Sequence, residues 1–310
     1  MPIKWKSKVI LAKLESSYGV DPTPTGAADA MLMTNVTLTP MDGEDVSRDL
    51  EFPYLAAQGM IPTGLRVRLQ GRVELSPSGT AGTAPAWGPL LRSCGIAETI
   101  SAGVSVTYDP ISNGMESAHI YFWIGDTRQI IAGVRGTAAF KLTAQQVPYI
   151  EFDLMGLYAD PTELAPATPT LTAFQKPQIV TDANTPTFSI NAVDMVLREF
   201  TLGLNNQVEA RLLVGSDSII IPDRAESISA RVEAVPVTTL NPFTLAKAQT
   251  LVPVALAHGI GAGRIATFDF PTCQLKRLSG FENAQNTLEW PLELVPLPAS
   301  GNDQWSLALT

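Results

Sequence analysis

The stretch Leu65-Arg-Val-Arg-Leu-Gln-Gly-Arg-Val-Glu-Leu75 alternates apolar with polar residues along almost its whole length. Successive side chains of a strand point to opposite faces, so Leu65, Val67 and Leu69 share one side and Arg66, Arg68 and Gln70 the other. A helix would scatter the same residues around its circumference, whereas a half-buried antiparallel strand sorts them cleanly. Thr34-Asn-Val-Thr-Leu-Thr39 alternates in the same way, and Val104–Tyr108, Ala118–Ile124, Gln129–Gly133, Thr137–Leu142 and Tyr149–Leu157 are further strand candidates. With 23 Gly and 24 Pro as punctuation, the chain reads as mainly β with little helix.

Two segments break the alternation. Pro85–Cys94 is expected as a short helix with Trp87, Leu90, Leu91 and Cys94 on one side and Gly95 ending it. Asn241–Gln249 is expected as another, with Asn241 as N-cap and Pro242 at the first position, where a missing N–H is harmless.

Pro161, Pro166, Pro169 and Pro177 cannot sit inside a sheet, so a boundary is placed there. The expected organisation is an N-terminal arm (1–33), a first domain (34–160), a Pro-rich linker (161–190) and a second domain (191–310). The two sides carry a faint repeat in the order of their elements. Val36-Thr-Leu38 corresponds to Phe200-Thr-Leu202, Ile61-Pro62 to Ile221-Pro222, and Leu65–Leu75 to Ile228–Val235. The helix at Pro85 corresponds to that at Pro242, and Tyr149-Ile-Glu-Phe152 to Thr287-Leu-Glu-Trp290.

Chemistry is sparse. The two histidines, His119 and His258, fall in different halves, and no Gly-x-Ser-x-Gly elbow accompanies either. Gly259-Ile-Gly-Ala-Gly263 is followed by a strand pattern and not a helix, so it reads as a hairpin turn, not a pyrophosphate cradle. Cys94 and Cys273 are too few for a thiolate metal site and read as free buried thiols. No catalytic residue, metal or cofactor is expected. A β-sandwich hydrolase with paired carboxylates is the enzyme-class alternative, but nothing local supports it.

The formal charge is −9 and both halves share it, with 12 Lys and Arg against 16 Asp and Glu in residues 1–160, and 9 against 14 in residues 161–310. No basic stripe is available to neutralise phosphates, which argues against a DNA-gripping protein. No 18-residue apolar run suggests a membrane span, and Met1–Leu14 lacks the apolar core of a signal peptide.

The densest charge run, Met41-Asp-Gly-Glu-Asp-Val-Ser-Arg-Asp-Leu-Glu51, precedes an apolar stretch from Phe52 to Ile61. Read as a loop from Thr39 to Gly64, it is long for a hairpin connection and costly to leave in water, which suits docking on another subunit. The arm, residues 1–33, is expected to become ordered by lying across neighbours.

Leu14-Glu-Ser-Ser-Tyr-Gly-Val-Asp-Pro-Thr-Pro-Thr-Gly26, Gly79–Gly95, Val106-Thr-Tyr-Asp-Pro110, Gly133-Val-Arg-Gly-Thr137 and Gly301-Asn-Asp303 together resemble the tail tube proteins of long-tailed phages, in particular Mu-like phages with non-contractile tails. The resemblance implies tandem β-sandwich or barrel domains, each with a short flanking helix, whose inner sheets join into one continuous barrel around a lumen. It implies rings with six such domains, from three chains if the repeat is real or from six if it is not. Stacking of rings would use residues 40–63, with Asp42, Glu44, Asp45, Arg48, Asp49, Glu51, Phe52 and Tyr54 as contacts. Arg211 and Arg224 would serve the counterpart segment 205–224. Further implied are an acidic lumen, transient passage of DNA and a tape-measure protein, tail terminator and distal tail partners, synthesis in the host cytoplasm and residence in the virion tail. Another β-rich virion protein, a decoration protein or fibre-like adhesin, is the alternative.

Overall fold

The alternating segments become strands almost everywhere in the computed structural model, which describes residues 3–310. The first half runs β1 (Lys8–Leu14), β2 (Thr34–Ser47), β3 (Met60–Glu74), α1 (Gly88–Arg92), β4 (Ile96–Ser101), β5 (Ser105–Pro110), β6 (Ala118–Ile124), β7 (Thr127–Thr143), β8 (Tyr149–Tyr158) and β9 (Thr162–Glu163). The second half runs β10 (Thr187–Ile190), β11 (Val193–Asp194), β12 (Leu197–Gly203), β13 (Asn206–Leu213), β14 (Ser216–Arg224), β15 (Ser227–Glu233), α2 (Pro242–Ala248), β16 (Leu251–His258), β17 (Ala266–Leu275), β18 (Glu282–Ala284), β19 (Thr287–Pro296) and β20 (Ser306–Leu309).

Pairing register brings the two halves into correspondence. Leu38 of β2 lies opposite Leu69 of β3, which lies opposite Leu154 of β8. Phe200 of β12 lies opposite Ala230 of β15, which lies opposite Leu292 of β19. Each half is therefore one repeat: a first strand (β1 or β10), a long hairpin, a helix, a strand (β6 or β16) and a returning antiparallel pair. The first repeat alone inserts β4 and β5 after its helix, and these join the second repeat through β20.

Four strands of each repeat form one layer, and the two layers fuse. β12 pairs with β7 from Glu199 opposite Thr143 to Gly203 opposite Ala139. The result is a continuous sheet in the order β2-β3-β8-β7-β12-β15-β19-β18. Among the described residues the pairings never return to their starting strand, so a single chain holds an open sheet and not a closed barrel.

Aromatic side chains fill the space behind the fusion. Phe140 meets Phe268 at 5.2 Å between centroids and Trp305 at 6.3 Å, while Phe200 meets Phe268 at 6.1 Å. These rings come from both repeats and belong to one buried cluster. Burying each such side chain stabilises by about 1.5–3 kcal/mol, so the halves share a core and do not fold around separate ones.

Some expectations change at the level of local structure. Lys8–Leu14, read as part of a loose arm, is a strand pairing with β6 from Leu14–Ala118 to Lys8–Ile124, and Ile10, Leu11 and Ala12 are buried. Its Lys-punctuated sequence hid an edge strand with a lysine on each face, Lys8 and Lys13, flanking the buried Ile10–Ala12. The segment from Thr39 to Gly64 is mostly strand and not loop, because β2 and β3 continue as a hairpin to Ser47 opposite Met60. Polar residues on both faces of Asp42–Ser47 removed the alternation by which a strand is recognised, since neither face is buried there. Gln129–Gly133 and Thr137–Leu142 are one strand, β7, bulged between Ala132 and Arg135. Gly133 (φ +58°) makes that bulge, and a Cβ there would collide with the Tyr18 ring. The linker keeps no regular structure between β9 and β10, but Thr187–Ile190 at its end already pairs with β16.

Both helices and the glycine turn fall where the sequence puts them. Asn241 accepts the Thr244 N–H at 3.0 Å, and Pro242 stands in the first turn. Gly259–Gly263 lies in the turn between β16 and β17.

Candidate assembly surfaces

The long sheet leaves two strand edges without a partner in the chain. At one end is β2; at the other is β18, paired only with β19. Unpaired ladders of N–H and C=O groups are templates for another chain, which is why soluble proteins usually cover or charge them.

One face of the sheet is core. The other carries a lattice of ion pairs set by the alternation of each strand. Arg66 meets Asp42 at 2.9 Å, Arg72 meets Glu151 at 2.6 Å, and Lys141 meets the same Glu151 at 2.6 Å. Arg68 grips Asp153 with two nitrogens, its Nε at 2.7 Å, and this hydrogen bonding raises the guanidinium pKa. On the second repeat's side of the seam Arg231 reaches both Glu199 and Glu282 at 3.3 Å, Arg198 meets Glu289 at 2.5 Å, and Lys276 meets Glu293 at 3.4 Å. The face is thus charge-matched and not simply acidic. Overall composition could not reveal this, because the excess carboxylates lie elsewhere on the chain.

The two long hairpins differ in what they touch. The second, β13–β14, continues β12 and β15 beyond a kink at Leu204-Asn205 and leans back over the first repeat. Asn206 Nδ2 donates to the Cys94 and Gly136 carbonyls at 2.7 and 2.9 Å. Arg224 donates to the carbonyls of Gly95 (3.1 Å) and Ile111. Arg135 Nη1 donates to the Ile219 carbonyl at 2.9 Å, and the Ile219 N–H donates to the Tyr18 hydroxyl at 2.6 Å. Ile219 and Ile221 are buried by this contact.

Tyr18 belongs to a turn held by Glu15, whose carboxylate accepts from Ser117 Oγ (2.5 Å), His119 Nδ1 (3.1 Å), the Gly133 N–H (2.8 Å) and the Gly19 N–H (2.7 Å). Burial alone would raise the Glu15 pKa, but these four donors outweigh it and hold the pKa below the usual value. Ser117 therefore bonds the carboxylate and not the imidazole, which leaves no serine–histidine relay. Burial pushes the Cys273 thiol up to about 12 and the Cys94 thiol further, so both are inert.

The first hairpin, β2–β3, stands clear of the chain beyond Asp42. Glu44 and Asp45 lie opposite Thr63 and Pro62 on its exposed limb. Arg48, Asp49, Glu51, Phe52 and Tyr54 line the tip, all exposed. Gln58 closes that tip by bonding both backbone groups of Leu50, and Phe52 stacks on Tyr54 at 5.4 Å. Asp42 instead sits at the base, engaged by Arg66. Arg211 is exposed on β13. Arg224 is committed inside the chain, its side chain only 12% exposed. The sequence brought forward the first hairpin but missed Glu15, Tyr18, Arg135 and Asn206, which seat the second. The phrase Leu14–Gly26 held the signal, through its turn-forming Ser, Gly, Asp and Pro residues.

A sheet with two open edges, a charge-matched face and paired hairpins is the layout of a subunit built to join others. The family model for phage tail tube proteins matches residues 5–303. The chain belongs to that family. No curated protein matches it. The phage tail tube assignment makes the chain a structural subunit of the virion tail that assembles with copies of itself, and it accounts for the mainly β fold with so little helix.

Proposed function

We propose that this tail tube protein closes into rings of three chains, and that the stacked rings form the hollow conduit through which DNA passes from capsid to host. The observation that carries the reading is the β7–β12 seam. It joins two equivalent four-stranded layers edge to edge within one chain, and it leaves the same two kinds of edge, β2 and β18, free at the ends. Transferring the seam's register through the repeat sets residues 39–41 of one copy against residues 282–284 of the next. Repeating that joint gives six repeats from three chains and removes every exposed edge of the inner sheet.

The charge-matched face then lines the lumen. Its cations are held by carboxylates, so a passing phosphate backbone finds none free to release counterions. This replaces the acidic wall implied by the resemblance and serves the same end. A tape-measure protein would occupy the lumen before DNA, and terminator and distal proteins would cap the tube. Assembly would follow synthesis in the host cytoplasm, for a long non-contractile tail. The reading is non-catalytic, as membership of a structural tail tube family suggests.

Native mass spectrometry with negative-stain imaging of the purified chain tests it. Hollow rings at three times 33.2 kDa are expected. Rings of six chains would retire the quasi-equivalent closure, and uniform monomers at high concentration would remove the ring itself.

A further inference from the structure

The repeat shows one kind of surface twice, covered in one half and bare in the other. The second hairpin bends at Leu204-Asn205 on one limb and Ala225-Glu226 on the other. The register places Asp42-Gly43 and Gly64-Leu65 at the same points of the first hairpin. There the pairing slips between Thr39 and Asp42 and again between Asp42 and Glu44, and Gly64 adopts φ +63°, a conformation that L side chains rarely take. The first hairpin is thus irregular at the same points where the second one bends.

In the first repeat the second hairpin covers the end of α1, at Gly95, and the middle of β7, at Arg135. Arg135 lies opposite Met155 of β8. Its counterpart is Lys276, whose N–H donates to the Glu293 carbonyl at 2.8 Å. Among the described residues, nothing plays the covering part around Lys276 and α2. Phe243 is 46% exposed, Leu251 49% and Phe281 62%, with Phe243 and Phe281 edge to face at 6.3 Å. The first hairpin in turn exposes Phe52, Tyr54, Leu55, Met60 and Ile61. Clustered apolar surface of this kind marks an interface.

We propose that the distal half of the first hairpin, residues 43–64, seats on the second repeat of an adjoining copy in the same ring, over Phe243, Leu251 and Phe281. The direction follows from the seam. The second hairpin extends β12 and leans onto the repeat that supplies β7, the partner of β12. The first hairpin extends β2, so it leans onto the copy whose residues 282–284 pair with β2. The hairpin is then a clasp across the joint between neighbours, not a stacking contact between rings. This rests on the ring reading above.

Cysteine pairs Tyr54→Cys with Phe281→Cys, and Leu55→Cys with Phe243→Cys, placed in the full chain, test it after assembly and mild oxidation. Non-reducing gels are expected to show a ladder ending at the ring's own chain number, with either single variant giving none. A ladder running far beyond that number would place the hairpin between rings and overturn the proposal. So would imaged rings that give no cross-link with either pair. Absence of rings from the unmodified chain would instead sink the ring reading, and this inference with it. Replacing residues 48–59 by a Gly-Ser turn gives an independent check. Folded monomers by circular dichroism without rings are expected, whereas normal rings that fail to stack would overturn the clasp.

Discussion

Neutralising Glu151 and Asp153 together, as Glu151→Gln with Asp153→Asn, should turn a surface indifferent to DNA into one that holds it. Glu151 engages both Arg72 and Lys141, and Asp153 engages Arg68. The three cations are 42–45% exposed in their side chains, and pairs so open to water contribute about 0–1 kcal/mol each. The loss of stability is therefore at most about 3 kcal/mol. An unfolding entropy of about 0.65 kcal/mol/K for a chain of 310 residues makes that a fall in Tm of no more than about 5 °C. The effect on a polyanion is larger. Three released cations that each meet a phosphate steepen the dependence of log K on log salt by about 2.7, which is about a 40-fold gain in affinity between 200 and 50 mM salt. Fluorescence anisotropy of a labelled duplex against the full chain measures both affinity and slope. Asp217→Asn on the exposed β14 limb is the control, since it also removes a negative charge but lies off this face. If Asp217→Asn binds DNA as well as the double variant, net charge and not pairing explains the gain. If the double variant shows no steeper slope than the unmodified chain, the idea of sequestered cations is wrong.

Two further outcomes concern the inside of the molecule. Arg224→Ala removes two hydrogen bonds to carbonyls and the cation 3.8 Å from Glu226, itself 7% exposed. A loss of about 3 kcal/mol, or about 5 °C in Tm, is expected by scanning fluorimetry; a shift under about 1 °C would show that this arginine does not hold the second hairpin. His258 is buried, which depresses its pKa, although donation from Nε2 to the Gln178 carbonyl at 3.1 Å opposes the shift. Below about pH 6.5 the unfolded chain takes up a proton that the folded imidazole resists, so stability is complete above that pH and declines as pH falls toward the depressed value. Urea midpoints at pH 7, 6 and 5 should show the decline, and His258→Gln should flatten it; an unchanged slope in the variant would assign the dependence elsewhere.

The layers of the long sheet were legible because burial on one face and solvent on the other impose a period of two, as in Leu65–Leu75 and Tyr149–Leu157. The caps were legible because Asn241-Pro242 has one physical use. The distal hairpin limbs were not, since a strand with both faces exposed keeps no alternation, and Met41–Glu51 reads as a charged loop. β1 was obscured by Lys8 and Lys13, which fall on opposite faces and so break the alternation. The repeat was faint for a related reason: register conserves which face a residue occupies, not its identity, so Leu69 answers to Ala230 and Leu38 to Phe200. Charge matching on the sheet was beyond sequence reading altogether, because Arg68 and Asp153 meet only once β3 lies beside β8.

The seam between β7 and β12 forms when the polypeptide folds, before any second molecule arrives. In the ring proposed above, half of the joints are already made, and their correct spacing cannot be lost by dilution. A homologous subunit with one repeat would have to gather twice as many bodies, each surrendering its own freedom of movement. Fusion also frees the two joints to diverge, since a substitution in one repeat alters alternate contacts around the circle and leaves the others as they were.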